Sequence, residues 1–156
     1  MVTLEQTTLI HAPIERCFDL ARSIDLHVRS TAGTGERAVA GVTAGLIGLG
    51  EQVTWRAKHL GLWQEFTSEI TAFDRPFYFQ DTMLRGAFRS FKHDHYFSAS
   101  GDGASTMQDV LEFAAPLPLA GLIAEMFLRP YLAKFLRERN DLIKSVAESD
   151  AWQQFV

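Results

Sequence analysis

Between residues 51 and 113 the chain alternates polar and apolar side chains in one segment after another, and this period of two constrains the fold more than any other feature. In a strand, successive side chains point to opposite faces. "EQVTWRAKHLG" therefore sets Val53, Trp55, Ala57 and His59 against Gln52, Thr54, Arg56 and Lys58. "LWQEFTSEITA" sets Phe66, Ser68 and Ile70 against Glu65, Thr67 and Glu69, and "FYFQDTML" sets Phe79, Asp81 and Met83 against Tyr78, Gln80 and Thr82. "FKHDHYF" places Phe91, His93, His95 and Phe97 on one side, and "TMQDVLEF" does the same for Met107, Asp109, Leu111 and Phe113. The connections are short and carry turn residues: Gly61, "DRP" at 74–76, Gly86 and "SGDGAS" at 100–105. Short links join antiparallel neighbours, so five consecutive strands form a meander with one wet and one covered face.

The flanks supply the remaining elements. "VTLEQTTLI" reads as a first strand, and "APIERCFDLAR" as a helix whose first turn accommodates Pro13. "SIDLHVRST" is a short second helix and "GERAVAG" a further strand, followed by a connection with glycines at 41, 45, 48 and 50. A long helix from about 119 to 148 carries Leu128, Tyr131, Leu132, Phe135, Leu136, Leu142, Ile143 and Val146 at spacings of three and four, with Pro130 expected to kink or break it. It is the element long enough to cover the inner face of the sheet. Residues 1–150 then form one domain, with 151–156 a tail whose Trp152 and Phe155 are expected to be exposed.

At 156 residues the chain buries a sizeable core without disulfide staples, and its lone Cys17 cannot form an internal bridge, which suits the cytoplasm. A net charge of -4 offers no basic field for nucleic acid. "MVTLEQTTLIHAP" lacks the basic and apolar regions of a secretory signal. The greasiest run, 115–128, is interrupted by Pro116, Pro118 and Glu125, so stable membrane insertion is not expected.

The inner face poses the chemical question, because Asp81, His93, His95 and Asp109 share it with tryptophan, methionine and phenylalanines. A carboxylate in a dry core costs several kcal/mol, of order 3–5, unless it is paired. A cavity explains such a face better, since water, a ligand or the groups themselves can satisfy one another. His93 with Asp109 could act as general acid and base, since a nearby carboxylate favours imidazolium; the same pair could be a hydrogen-bonded cavity wall. The pair His93 and His95 could ligate zinc only if Asp81 or Asp109 completed the set, and no metal or cofactor is expected. Arg139 either points inward, toward Asp81, Asp109 or a ligand anion, or reaches out to solvent. The glycine-rich stretch 41–50 lacks the Lys-Ser/Thr of a phosphate-binding loop and is either a gate at the cavity mouth or a tight connection.

Taken in order, "IHAPIERCFDLA", "GLIGLGEQVTWRAKHLG", "FTSEITAFDRPFYFQDTMLRGAFRSFKHDHYF" and "STMQDVLEFAAPLPLAG" resemble the START-like, or SRPBCC, superfamily, in particular its bacterial ligand-binding branch related to polyketide cyclase-like proteins. The resemblance runs over nearly the whole chain. It implies an α+β helix-grip fold: a curved seven-stranded antiparallel sheet wrapped around a long C-terminal helix, with two short helices after the first strand. It also implies an apolar cavity lined by Trp55, Phe79, Asp81, His93 and Asp109. By inward parity Phe66, Met83, Phe91, His95 and Met107 join this wall, and Tyr131, Phe135 and Arg139 face it from the helix. The family has no fixed catalytic set; some members cyclise or dehydrate polyketides and others carry lipids or hormones. The leading expectation is a protein, monomer or homodimer, that binds a small hydrophobic ligand. The alternatives are a cyclase or dehydratase using His93 backed by Asp109, and a partner-binding regulatory domain acting through its tail.

Overall fold

A computed structural model describes residues 1–116 and 121–156. Strand β1 (Val2–Ile10) leads into helices α1 (Ile14–Ala21) and α2 (Ile24–Ser30), and a single 3-10 turn (Ala32–Thr34) opens onto β2 (Arg37–Gly41). The meander follows as β3 (Gln52–His59), β4 (Leu62–Asp74), β5 (Tyr78–Arg85), β6 (Ser90–Ala99) and β7 (Ser105–Ala114). Helix α3 (Gly121–Ala147) and a 3-10 turn (Asp150–Gln154) complete the chain.

The seven strands form one antiparallel sheet in the order β1-β7-β6-β5-β4-β3-β2, so α1 and α2 carry the chain from one edge to the other. Bulges at Leu84 on β5, opposite Thr67 and Ser68, at Thr71 on β4, and between Ala38 and Ala40 on β2 bend the sheet around its inner face. Gly41 closes β2 with φ +73°, and a Cβ there would stand 2.1 Å from the Gln52 carbonyl oxygen, so only glycine fits. The expected alternation holds: Val53, Trp55, Ala57, Ser68, Ile70, Phe79, His93, His95, Phe97, Met107, Asp109, Leu111 and Phe113 are all buried.

The two short helices stay in place for local reasons. Pro13 stands at the start of α1, where a missing N–H costs nothing, and the Ser23 hydroxyl caps α2 by accepting from the Leu26 amide. The glycine-rich connection is pinned to them: the Ile24 amide donates to the Gly45 carbonyl at 2.9 Å, the Gly45 amide donates to Asp25, and Ile47 is buried. These bonds fit the tight connection of the two alternatives.

Helix α3 runs through Pro130 without a break. Its expected start near 119 and part of the apolar run 115–128 fall outside the described residues. Among the described residues, no helix is long and apolar enough to cross a membrane. The tail departs from expectation. Trp152 and Phe155 are half-buried against the main core, Arg16 stacks over the Trp152 ring at 4.3 Å, and Ser23 donates to the Phe155 carbonyl. A 3-10 turn capped by Ser149 folds these aromatics back, because leaving both in water would forfeit their burial.

The core divides in two. Around Phe18 of α1, the rings of Phe73, Phe79 and Phe97 meet edge-on at 5.3–5.4 Å, and Ile10, Met107, Ile143 and Val146 close in with exposures of 0–4%. A smaller cluster of Leu4, Leu111 and Phe113 sits beneath the first half of α3, with only half-buried Phe88, Phe91, Leu128 and Leu132 against it.

Candidate functional site

Strand register brings the ionisable groups together. Asp81 on β5 pairs with His93 on β6, and His95 on β6 pairs with Asp109 on β7, so a two-residue repeat on three adjacent strands collects four side chains on one face. Helix α3 adds Arg139 and Asn140 from above. His93 Nε2 lies 2.9 Å from Asp109 Oδ1, and Asn140 donates to Asp109 Oδ2 at 2.6 Å. His95 Nε2 lies 3.0 Å from Asp81 Oδ2. Its Nδ1 stands 2.9 Å from Asp109 Oδ1 but off the hydrogen-bond axis, and it has no other partner. Arg139 donates to Asn140 and to the Ala21 carbonyl, both at 3.0 Å, and stands 3.5 Å from Asp109. It therefore points inward, the first of its two alternatives.

Burial separates the members of this network. Asp109 and His95 side chains are 0% and 2% exposed, whereas His93 keeps 11% and Asp81 19%. Asp109 is the anchor: burial pushes its acid pKa up, but the hydrogen bond from His93 and the close imidazole of His95 outweigh burial and hold it well below the usual carboxylate range. Asp81 is also lowered, its burial offset by the bond from His95 and the nearby His93. The histidines diverge. Burial and the adjacent His95 ring, 3.8 Å away between centroids, lower His93; burial also opposes charge on His95, but Asp109 and Asp81 together raise it. The arrangement thus holds one imidazole inclined to carry a proton beside one inclined to lack it, a donor and acceptor pair next to a partly open carboxylate. Asp81, His93 and His95 also turn one ligand atom each to within 4.8 Å of one another, a set that can hold a metal ion.

A second polar cluster sits toward β3. His27 on α2 lies 2.5 Å from Glu36 and lies over Trp55 with ring centroids 4.2 Å apart. His59 Nε2 stands 3.9 Å from the same Glu36, and its Nδ1 is 2.6 Å from the Tyr131 hydroxyl on α3. Burial, and then the Glu36 charge, push the Tyr131 phenol up, so it stays protonated and can donate.

The residues picked out by parity do not all have the same surroundings. Phe66, Met83, Phe91, Tyr131 and Phe135 are half-buried on the inner side, and Asp81 and His93 sit among them with part of their surface free. Met107 and Phe79, at 0% and 3% exposure, belong to the packed cluster around Phe18, and Trp55 is covered by His27. Phe79 instead backs the network by stacking on His95 at 4.1 Å. Asn140, Glu36 and His27 were not anticipated. Asn140 could have been found, since it interrupts the buried series Leu136, Ile143 and Ala147 on α3 with an amide at 0% exposure. His27 sits on the seven-residue helix α2 and Glu36 in the short link before β2, stretches in which no periodicity singles them out.

No protein-family model matches the chain, and no curated protein matches it. Solved structures do. The Zhui aromatase/cyclase of Streptomyces sp. R1128 superposes with a TM-score of 0.76 at 12% identity, covering 94% of this chain and 93% of that one. The chain has the START-like helix-grip fold. TTHA0849 of Thermus thermophilus matches with a TM-score of 0.73, 14% identity, and 94% and 99% coverage. A START superfamily protein of Mycobacterium smegmatis matches with a TM-score of 0.66, 13% identity, and 94% and 97% coverage. At such identities the helix-grip likeness concerns the backbone plan, and the side chains of the site must be argued from this chain alone.

Proposed function

We propose that the protein binds a small, largely apolar ligand with a polar end, in a hollow between α3 and the inner face of β3–β6. The observation that carries this reading is incomplete burial on the covered side of the sheet. Phe66, Met83 and Phe91 from the strands, and Leu128, Tyr131, Leu132 and Phe135 from α3, face the interior yet keep free surface. Apolar groups that face inward without filling the space between them leave room for an apolar guest. The partly exposed Asp81 and His93 at the base of this space, and the Tyr131 hydroxyl beside it, would orient the guest's polar end. A helix-grip protein named an aromatase/cyclase, and another assigned to the START superfamily, support a small-molecule role for this plan. The buried, unpaired Cys17 fits a cytoplasmic setting.

The test is native mass spectrometry of protein taken from cells, followed by titration with an anilinonaphthalene sulfonate probe. One retained small molecule or one probe per chain is expected, and Leu132→Trp, which fills the space, should abolish both while the protein stays folded. Probe binding unchanged by Leu132→Trp would contradict the reading.

A second reading is favoured by the bond between His93 and Asp109: a cyclase or dehydratase in which His93 moves a proton on a bound carbonyl compound. In that case His93→Ala lowers turnover of a polyketide-like substrate by about 100-fold or more and leaves binding largely intact. Binding alone instead predicts that His93→Ala weakens affinity by about 1–3 kcal/mol.

A further inference from the structure

We propose that Asp81, His93 and His95 form a site for a borderline divalent metal ion such as Zn2+, with one coordination position open toward the space beneath α3. Three observations converge on it. Asp81 Oδ2 lies 3.0 Å from His95 Nε2 and 3.9 Å from His93 Nδ1. Ligand atoms at about 2.0–2.1 Å from a tetrahedral zinc stand about 3.3 Å apart, and the two separations bracket that value. The donor set, two imidazoles and a carboxylate, is one that zinc accepts in sites that keep a position free.

The outer nitrogens of both rings meet a single carboxylate. His93 Nε2 and His95 Nδ1 each stand 2.9 Å from Asp109 Oδ1, and Asp109 is fixed in turn by Asn140 at 2.6 Å and by Arg139. A buried carboxylate behind a ligating imidazole sets which nitrogen carries hydrogen and aims the other at the metal. Here Asp109 does so for His93, while the buried His95 Nδ1 beside it has no hydrogen-bond partner.

Charge supplies the last argument. With the His93 hydrogen turned toward Asp109, its Nδ1 lone pair faces Asp81 Oδ2 at 3.9 Å, beside the His95 Nε2 that lies 3.0 Å from the same oxygen. Such an arrangement is repulsive unless a cation lies among the three. A proton on His95 Nε2 satisfies one of these contacts; a divalent ion satisfies all three at once. Two carboxylates and Arg139 leave the pocket at -1 with neutral rings, so a divalent ion brings it to +1 and favours an oxygen anion at the open position. That last step rests on the proposed ligand; the metal site itself does not. Asp81 and His93, the partly exposed members, provide the route of entry.

The experiment uses the full chain, stripped with chelator, loaded with Zn2+, desalted and measured by elemental analysis, with Co2+ as a spectroscopic probe. One zinc per chain is expected, together with a visible cobalt band of four- or five-coordinate character. Asp81→Asn and His93→Ala should each lose stoichiometric retention. Should His93→Ala not fold by circular dichroism, Asp81→Asn carries the comparison, since its side chain is part-exposed. Asp109→Asn keeps all three ligands and should weaken zinc affinity about 10–100-fold. Folded wild-type protein that retains no zinc overturns the site, and so does retention that is equal in wild type and Asp81→Asn. Because no organic ligand enters this assay, its failure is separate from failure of the ligand-binding reading.

Discussion

The two halves of the covered face are built from the same residue types and end up in different states. Beneath α1 and the last turns of α3, Phe18, Phe97, Met107, Ile143 and Val146 are packed to 0–4% exposure, and the recess among Leu20, Leu26, His27, Arg139 and Ile143 is too tight for a water molecule. Beneath the first half of α3, Phe66, Met83, Phe91, Leu128, Leu132 and Phe135 remain half-buried. The difference lies in what covers the sheet. On the packed side two layers of helix meet it, and α3 approaches β1 and α1 closely; over β3–β6, among the described residues, α3 makes no comparably close backbone approach. One helix cannot fill a curved sheet from edge to edge, so packing is completed where α1 helps and left incomplete where it does not.

Truncation breaks the comparison most sharply. Phe18→Ala should cost about 3–5 kcal/mol in chemical denaturation, since it empties a site closed on all sides. Asp109→Ala should cost a similar or slightly smaller amount, about 3 kcal/mol, by leaving His93 and Asn140 without their shared acceptor. Phe91→Ala, in the half-buried region, should cost only about 1 kcal/mol yet abolish probe binding. Equal destabilisation by Phe18→Ala and Phe91→Ala would erase the distinction between the halves.

Titration sharpens the boundary between them. In the metal-free protein burial and the His95 ring hold His93 below 6.5, so its contribution is intact above 6.5 and is lost as pH falls through its lowered folded value. His95 runs the other way: although burial opposes it, Asp109 and Asp81 raise it, so its contribution is full below 6.5 and is lost as pH rises through its raised folded value. Stability followed by urea denaturation should therefore peak near 6.5, with His95→Gln removing the alkaline decline and His93→Gln the decline just below the peak. A flat profile in the wild type would show that the two rings do not differ. The smallest effect concerns Cys17, whose thiol burial pushes up to about 11; it should react with a thiol reagent at neutral pH only after denaturation.

Much of this was legible in the chain. The period of two fixed which side of each strand faces the helix, and that parity alone brought Asp81, His93, His95 and Asp109 to one face. Register was not legible, because pairing Asp81 with His93 and His95 with Asp109 depends on where turns and bulges fall. Nor could parity tell Met107 from Met83: both point inward, but one lies under α1 and the other under a helix that stands away. Glu36 and His27 meet only through the crossing from β1 to β2, and Trp152 and Phe155 return to the core through a turn too short to show a pattern.

The most direct measurement is a crystal structure of the protein under xenon pressure, since xenon occupies apolar space that packed side chains leave empty. Xenon density among Phe66, Phe91, Leu132 and Phe135, with none around Phe18, is the predicted result. Xenon absent from that region, with the four side chains closed against one another, would contradict the proposed hollow.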